Sequence, residues 1–262
     1  GVTRLDHLLI THSHQDHTGG FQWVAKELSL GEFWWSGYFH PTGTGERILA
    51  KVAELGIPVR KLKRGDELSL GRKQEVRIQV LNPPADMVPV DHDINNHSVV
   101  LRVSYGDIDF LLMGDAEIKA ERMILGSGLA VDSEFLKLGH HGSDTASTLP
   151  FLKAVAPAFG VISCGRNNKY DHPHPSTLEN LTHQGVTILR TDEVGTVVVR
   201  TDGQKVSVNV RGRRAGELLR LRLEDISHLI IGRRESTDEA MPGPAPCLRP
   251  DPDQWIRLGR AA

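Results

Sequence analysis

Residues 5–20 read LDHLLITHSHQDHTGG, an apolar run followed at once by a cluster of imidazoles and a carboxylate, then by two glycines. Leu5 to Thr11 has the pattern of a short buried strand that ends at polar loop residues. His12, His14, Asp16 and His17 then fall within six residues. That is more donor capacity than one tetrahedral ion readily takes from so short a loop. His12 and His14 are two apart at a strand end and point the same way. Asp16 and His17 are adjacent and diverge, which suits a second ion a few ångströms off. A solvated loop with chance histidines would not come framed by a strand before it and glycines after it.

Outward from this motif, strands alternate with helices. Helical spacing covers Phe21 to Leu28 and Glu46 to Leu55, the latter stopped by Gly56 and Pro58. Phe33–Trp35 and Val76–Leu81 read as strands, and 85–97 as a polar loop. Ser98 to Met113 reads as two strands around Tyr105-Gly106-Asp107, and Ala116 to Leu125 as a helix. Phe135–Leu138 and Phe159–Cys164 are further strands, with a helix over Phe151–Val155 between them. Ser176 and Glu179 have capping-box spacing for another helix. Thr196 to Val210 is a hairpin turned by Asp202-Gly203. Every histidine-rich segment sits just after a strand, where α/β proteins hold loop residues in fixed positions.

Bulk properties fit an ordinary globular chain: 262 residues, 39% hydrophobic and 24% charged. The net charge of −2 gives no bulk attraction to nucleic acid, which leaves any such contact to a local surface. Cys164 and Cys247 make neither a disulfide framework nor a C-x-x-C pair. No apolar run approaches bilayer length, and the first residues do not read as a signal peptide. Residues 1–210 form one expected domain. Residues 211–262 read as a tail, Arg/Leu-rich over Arg213–Arg222 and Pro-rich over Met241–Pro252, to which no function is assigned.

Three later clusters add donors. Asp115, in Met113-Gly114-Asp115-Ala116, ends a strand. Its two oxygens can bridge two cations, with Gly114 leaving room for them, although taken alone it could equally cap the helix that follows. His140 and His141 are adjacent, so one is expected to face the metals and the other to serve substrate or orient a ligand. His172 and His174 lie in Asp171-His172-Pro173-His174-Pro175, where prolines stiffen the loop, and one of the two is the expected last ligand of the second metal. Trp34, Trp35, Tyr38 and Phe39 can serve as a base-stacking platform, but such a cluster is more often core. Arg60, Lys61, Lys63 and Arg64 can contact phosphates, but such a run more often reads as a solvated basic face. His7, His40, His183 and His228 are not connected with the metals.

HxHxDH after an apolar strand and before Gly-Gly resembles the signature of the metallo-β-lactamase superfamily. The resemblance implies an αββα sandwich with a dinuclear metal site at one edge of its two sheets. It assigns His12 and His14 to the first metal and Asp16 and His17 to the second. Four motifs in order, THSHQDHTGG, NNHSVVLRVSYGDIDFLLMGDAE, LKLGHHGS and NNKYDHPHPSTL, make Leu5 to Val210 similar to the C-terminal soluble domain of the ComEC family of DNA-uptake proteins. This resemblance implies a DNA nuclease domain attached to a membrane channel, facing the extracytoplasmic side and acting on single-stranded DNA with two Mn²⁺ or Zn²⁺ ions. Three departures stand out. The first strands of the complete domain, which would precede Gly1, are missing. Asp171 stands where the family commonly has glycine. The tail after Arg211 matches nothing in it.

Two cations sharing a water lower its pKa towards neutrality and provide a nucleophile. Asp16, His141 and His174 are the candidates for direct participation. His141 or His174 would donate a hydrogen bond or proton to the leaving oxygen. Lactamases of the superfamily carry a third histidine on the first metal. Here the corresponding stretch is Asn95-Asn96-His97-Ser98, and His97 is expected to point away, leaving a harder site that favours manganese over zinc. Two other readings compete. A small-molecule hydrolase, such as a lactamase, lactonase or thioesterase, is disfavoured because no Pro-Gly-His-Thr element lies between His17 and Asp115. A degenerate DNA-binding module without hydrolysis would hold fewer than two metals.

Overall fold

The computed structural model describes residues 1–39, 43–88 and 93–211; His40, His228, Cys247 and the tail from residue 212 on lie outside these. The first half runs β1 (Arg4–Leu9), a short α1 (Gln15–Thr18), α2 (Phe21–Glu27), β2 (Ser29–Trp35), α3 (Thr44–Glu54) and β3 (Val59–Lys61). The three strands form a parallel sheet in the order β1-β2-β3. There follow β4 (Glu67–Leu70), β5 (Val76–Asn82), β6 (Val100–Tyr105), β7 (Ile108–Leu112), α4 (Ile118–Leu125), β8 (Phe135–Lys137), α5 (Leu149–Val155), β9 (Phe159–Ile162), α6 (Pro175–His183), β10 (Thr187–Arg190) and α7 (Thr191–Val194). Their strands make a seven-stranded sheet, antiparallel from β4 to β7 and parallel from β7 to β10. A hairpin, β11 (Thr196–Thr201) and β12 (Val206–Arg211), closes the described chain.

Strand alternation sorts the side chains into layers. In β2, Phe33 turns outward to Phe21, Ile48 and Val52 on α2 and α3, while its neighbour Trp34 turns inward to the large sheet. In the large sheet, Phe110, Phe135 and Phe159 face inward and stack in a row, with centroids 5.0 and 4.9 Å apart. Leu111, Leu136 and Ile162 face outward to Ala120, Leu152 and Leu181 on α4, α5 and α6. The result is the helix–sheet–sheet–helix sandwich expected from the sequence. Val197, Val199, Val206 and Val208 of the hairpin join the inner layer. The hairpin turn is an Asx turn: Asp202 Oδ1 accepts from the N–H groups of Gln204 and Lys205.

Three strands escape a reading of periodicity. β3, β4 and β10 are three or four residues long, and β3 and β4 have exposed polar positions, so their pairing depends on neighbours rather than on pattern. The start of α6 also differs from expectation. The helix begins at Pro175, and His174 is its cap, its side chain accepting from the Ser176 N–H; the Ser176–Glu179 pair does not form the capping box.

The parallel direction of β7, β8 and β9 brings their C-terminal ends to one edge, with the start of antiparallel β6 beside them. The end of β1 is tied to that same edge by a bond between the two layers, in which the Val99 N–H donates to the Thr11 carbonyl at 3.0 Å. The core row should carry much of the stability. Phe135→Ala is expected to lower the unfolding free energy by roughly 3–5 kcal/mol in a urea titration.

Candidate metal centre

The loop after β1 turns directly into α1, so Asp16 and His17 ride on one helical turn while His12 and His14 precede it. His12 is buried. Its Nδ1 lies 3.1 Å from Thr11 Oγ1 and 3.3 Å from Ser98 Oγ, and its Nε2 lies 3.0 Å from His14 Nδ1 and 3.5 Å from Asp115 Oδ2. His17 Nε2 stands 3.2 Å from Asp115 Oδ2 and 3.3 Å from His141 Nε2. His141 Nε2 in turn reaches Asp16 Oδ2 at 3.1 Å and Asp115 Oδ1 at 3.5 Å. Two donor groups result, His12–His14–Asp115 and Asp16–His17–Asp115–His141, and Asp115 belongs to both.

Gly114 allows this packing for a reason other than space for metals. Its φ is +56°, and a Cβ there would meet Ser98 and Thr11 side-chain atoms at 3.0–3.1 Å. The glycine therefore lets the end of β7 come up against the two hydroxyls beside His12. Asp115 does not cap α4. Asn96 performs that task through Oδ1, which accepts from the N–H groups of Glu117 and Ala120 at 3.1 and 3.0 Å. Asn96 is itself held by its own carbonyl accepting from buried Asn82 Nδ2, which also donates to the Ser98 carbonyl.

His140 and His141 both take left-handed backbone conformations, φ +43° and +55°, and so aim their imidazoles apart. His141 donates from Nδ1 to the Ser163 carbonyl at 2.7 Å, which leaves Nε2 facing the carboxylates. His140 turns away and meets Glu117 Oε1 at 2.8 Å. Of this pair, then, only His141 lies in a donor group. Neither His172 nor His174 has a donor atom within these two groups. His172 packs edge-on against His140 at 5.4 Å, and His174 is held by Ser176 as the cap of α6, so its Nδ1 is an acceptor. Asp171 adopts φ +55°, the conformation glycine would take, which Asp tolerates.

His97 is buried but turned against Tyr38, ring to ring at 4.9 Å, outside both donor groups; Ser98 occupies the place beside His12. Trp34 is core, and Trp35 packs on Phe39, so this aromatic cluster is structural and not a platform. Arg60 and Lys63 are engaged with Glu32 and Asp66. Ser98, Thr11, Asn96 and Glu117 are the residues that motif reading missed. All four lie within the motif strings, but a hydroxyl, amide or carboxylate in a string does not announce what it will touch.

The charges are those of a cation site. Burial pushes the His12 imidazole down to about 3, keeping a lone pair on offer. Burial alone would raise the Asp115 carboxyl, yet the His141 and His17 imidazoles outweigh it and hold it well below the usual carboxylate range. The His141 hydrogen bond likewise lowers Asp16 to about 2. Burial opposes a proton on His141, but the Asp115 and Asp16 carboxylates retain it and push the imidazole up to about 10. Asp115 Oδ1 is buried and has no hydrogen-bond partner. Imidazole nitrogens facing one another at 3.0–3.3 Å, around a buried carboxylate whose Oδ2 lies 3.2–3.5 Å from His17 and His12, fit divalent cations.

Fold and site together are those of the metallo-β-lactamase superfamily of hydrolases, to which the chain belongs: residues 1–166 match that family, and its two donor groups could hold metal. Within it, the chain is similar to ComEC-family competence proteins. It is 32% identical over 200 residues to ComE operon protein 3 of Bacillus subtilis (strain 168), covering 76% of this chain and 25% of that protein. It is 34% identical over 196 residues to competence protein ComA of Neisseria gonorrhoeae, covering 74% and 25%. Recombination protein 2 of Haemophilus influenzae is 31% identical over 184 residues, covering 68% and 20%. The chain thus spans a quarter or less of the length of these relatives. Among solved structures, a CmlA β-hydroxylase variant aligns with a TM-score of 0.47 and 16% identity, over 71% of this chain and 43% of that one.

Because Asp115 is shared, its loss should empty both groups. Added Mn²⁺ or Zn²⁺ is expected to raise the melting temperature of the wild-type chain. Asp115→Ala should abolish that shift and reduce bound metal measured by elemental analysis, whereas His97→Ala should keep both.

Proposed function

We propose that this chain is a DNA-cutting phosphodiesterase domain that holds two divalent metal ions and acts on single-stranded DNA. It would do so as part of a longer DNA-uptake protein whose membrane channel lies beside it, on the extracytoplasmic side. The observation that carries this reading is the pair of adjacent donor groups joined by one buried carboxylate, in a chain whose relatives are competence proteins. Among the described residues, no helix is long and apolar enough to cross a membrane, so a channel would be supplied by other parts of such a protein.

In this reading His12, His14 and Asp115 hold the first cation, and Asp16, His17, His141 and Asp115 the second. When bound, the cations supply an activated water and neutralise charge on the phosphate oxygens. The chain's own groups orient this set. The Ser163 carbonyl fixes the His141 tautomer, and Ser98 with Thr11 fixes His12. His141 then acts as ligand, which leaves His174 as the candidate hydrogen-bond donor to the leaving oxygen. The Ser176 N–H occupies its Nδ1, so Nε2 carries the hydrogen, and the side chain is 42% exposed, open to a leaving oxygen.

With only two imidazoles beside a carboxylate in the first group, the donor set is oxygen-rich relative to a lactamase, which favours manganese. Cleavage of single-stranded DNA should therefore be faster with Mn²⁺ than with Zn²⁺. Asp16→Ala should reduce it by at least about a hundredfold. Turnover of nitrocefin or a thioester without DNA cleavage, or full activity with one equivalent of tightly held zinc, would sink this reading.

A further inference from the structure

Tyr170 is a large aromatic side chain left 65% exposed, on the loop between β9 and α6. Neither fold nor ligand geometry accounts for it. The loop that carries it is tightly built. Asn168 Oδ1 accepts from the N–H groups of Tyr170 and His172 at 3.1 and 3.0 Å, and its Nδ2 donates to the carbonyls of Gly165 and His172 at 3.0 and 2.5 Å. Tyr170 is therefore presented from a loop fixed by one side chain, at low ordering cost to whatever it binds.

Its ring is connected to the metal centre through other rings. Tyr170 lies near-parallel to His172, centroids 5.8 Å apart at 26°. His172 meets His140 edge-on at 5.4 Å, and His140 lies 6.3 Å from His141, which belongs to a donor group. Beside it, Lys169 Nζ sits 4.9 Å from the Tyr170 centroid. An ammonium on a flexible stem next to an exposed flat ring can move to a phosphate when a base covers the ring. An exposed ring with an adjacent cation, within a short oligonucleotide's reach of a phosphodiesterase centre, matches the way proteins hold single strands.

We infer that Tyr170, assisted by Lys169, is a stacking platform for a nucleobase of single-stranded nucleic acid at the rim of the metal centre. The inference rests on the nucleic-acid reading above and adds to it a base-contacting residue. A paired base offers its face to its neighbours in the duplex, so such a platform also selects for unpaired strands.

The test is fluorescence anisotropy with metal-loaded protein of a labelled, nuclease-resistant short oligothymidylate and of a nuclease-resistant abasic strand of equal length. Tyr170→Ala should weaken oligothymidylate binding roughly five- to a hundredfold, while Tyr170→Phe stays within about twofold of wild type. The abasic strand should bind wild type and Tyr170→Ala alike. If wild type binds oligothymidylate and Tyr170→Ala binds it equally well, the platform is overturned and the nuclease reading stands. Equal weakening on both strands would also overturn it, since the loss would then be of loop order or charge. Wild type that binds neither strand would overturn the nucleic-acid reading and the platform together.

Discussion

A carboxylate that is almost wholly buried and yet lacks a hydrogen-bond partner for one oxygen is an expensive thing to keep in a fold. Asp115 is 1% exposed, its Oδ1 makes no hydrogen bond, and three imidazoles converge on it from two separate loops. Without a cation, a proton retained on His141 is the available compensation. With divalent charge in place, the same arrangement becomes favourable. The second tier of the site serves to hold this carboxylate still. Its own N–H donates to Ser98 Oγ, the Ser98 carbonyl accepts from Asn82, and Asn96 caps the helix that leaves the site.

The residues around the site share out the work accordingly. The left-handed pair His140 and His141 sends one imidazole into the donor group and the other to Glu117, which also accepts from Asn95 and Thr145. Glu117 thereby knits the loop before β6 to the loop after β8. His97 and His172 pack instead against Tyr38 and His140. A histidine in a motif string is therefore a statement about chemistry available nearby, and its backbone conformation decides where that chemistry goes.

The sandwich is legible in the sequence because buried strands such as Val100–Tyr105 and Phe159–Ile162 carry their own apolar signal. The donor cluster is legible because so dense a run of imidazoles and carboxylate at a strand end serves no packing purpose. What escapes has a common physical cause. The edge strands β3 and β4 owe their pairing to neighbouring strands rather than to a pattern of their own, and Ser98 and Thr11 matter only through what lies beside them in space. The capping of α6 by His174 is hidden for the same reason: an imidazole replaces the serine that spacing favours. Asp171 shows the reverse case, where a departure in residue type still allows the backbone conformation that glycine would take.

The sequence distance across the donor group has a consequence for how the protein comes into being. Asp16 and His141 touch although 125 positions separate them, and His17 meets the same imidazole across 124. Contacts of that span carry a loop-closure entropy cost that packing elsewhere in the sandwich must offset. A chain emerging from the ribosome presents the first four donors long before Asp115 and His141 exist to complete the set. Assembly of the sandwich therefore also assembles the donor cluster, which is complete only when the loops of both sheets have met.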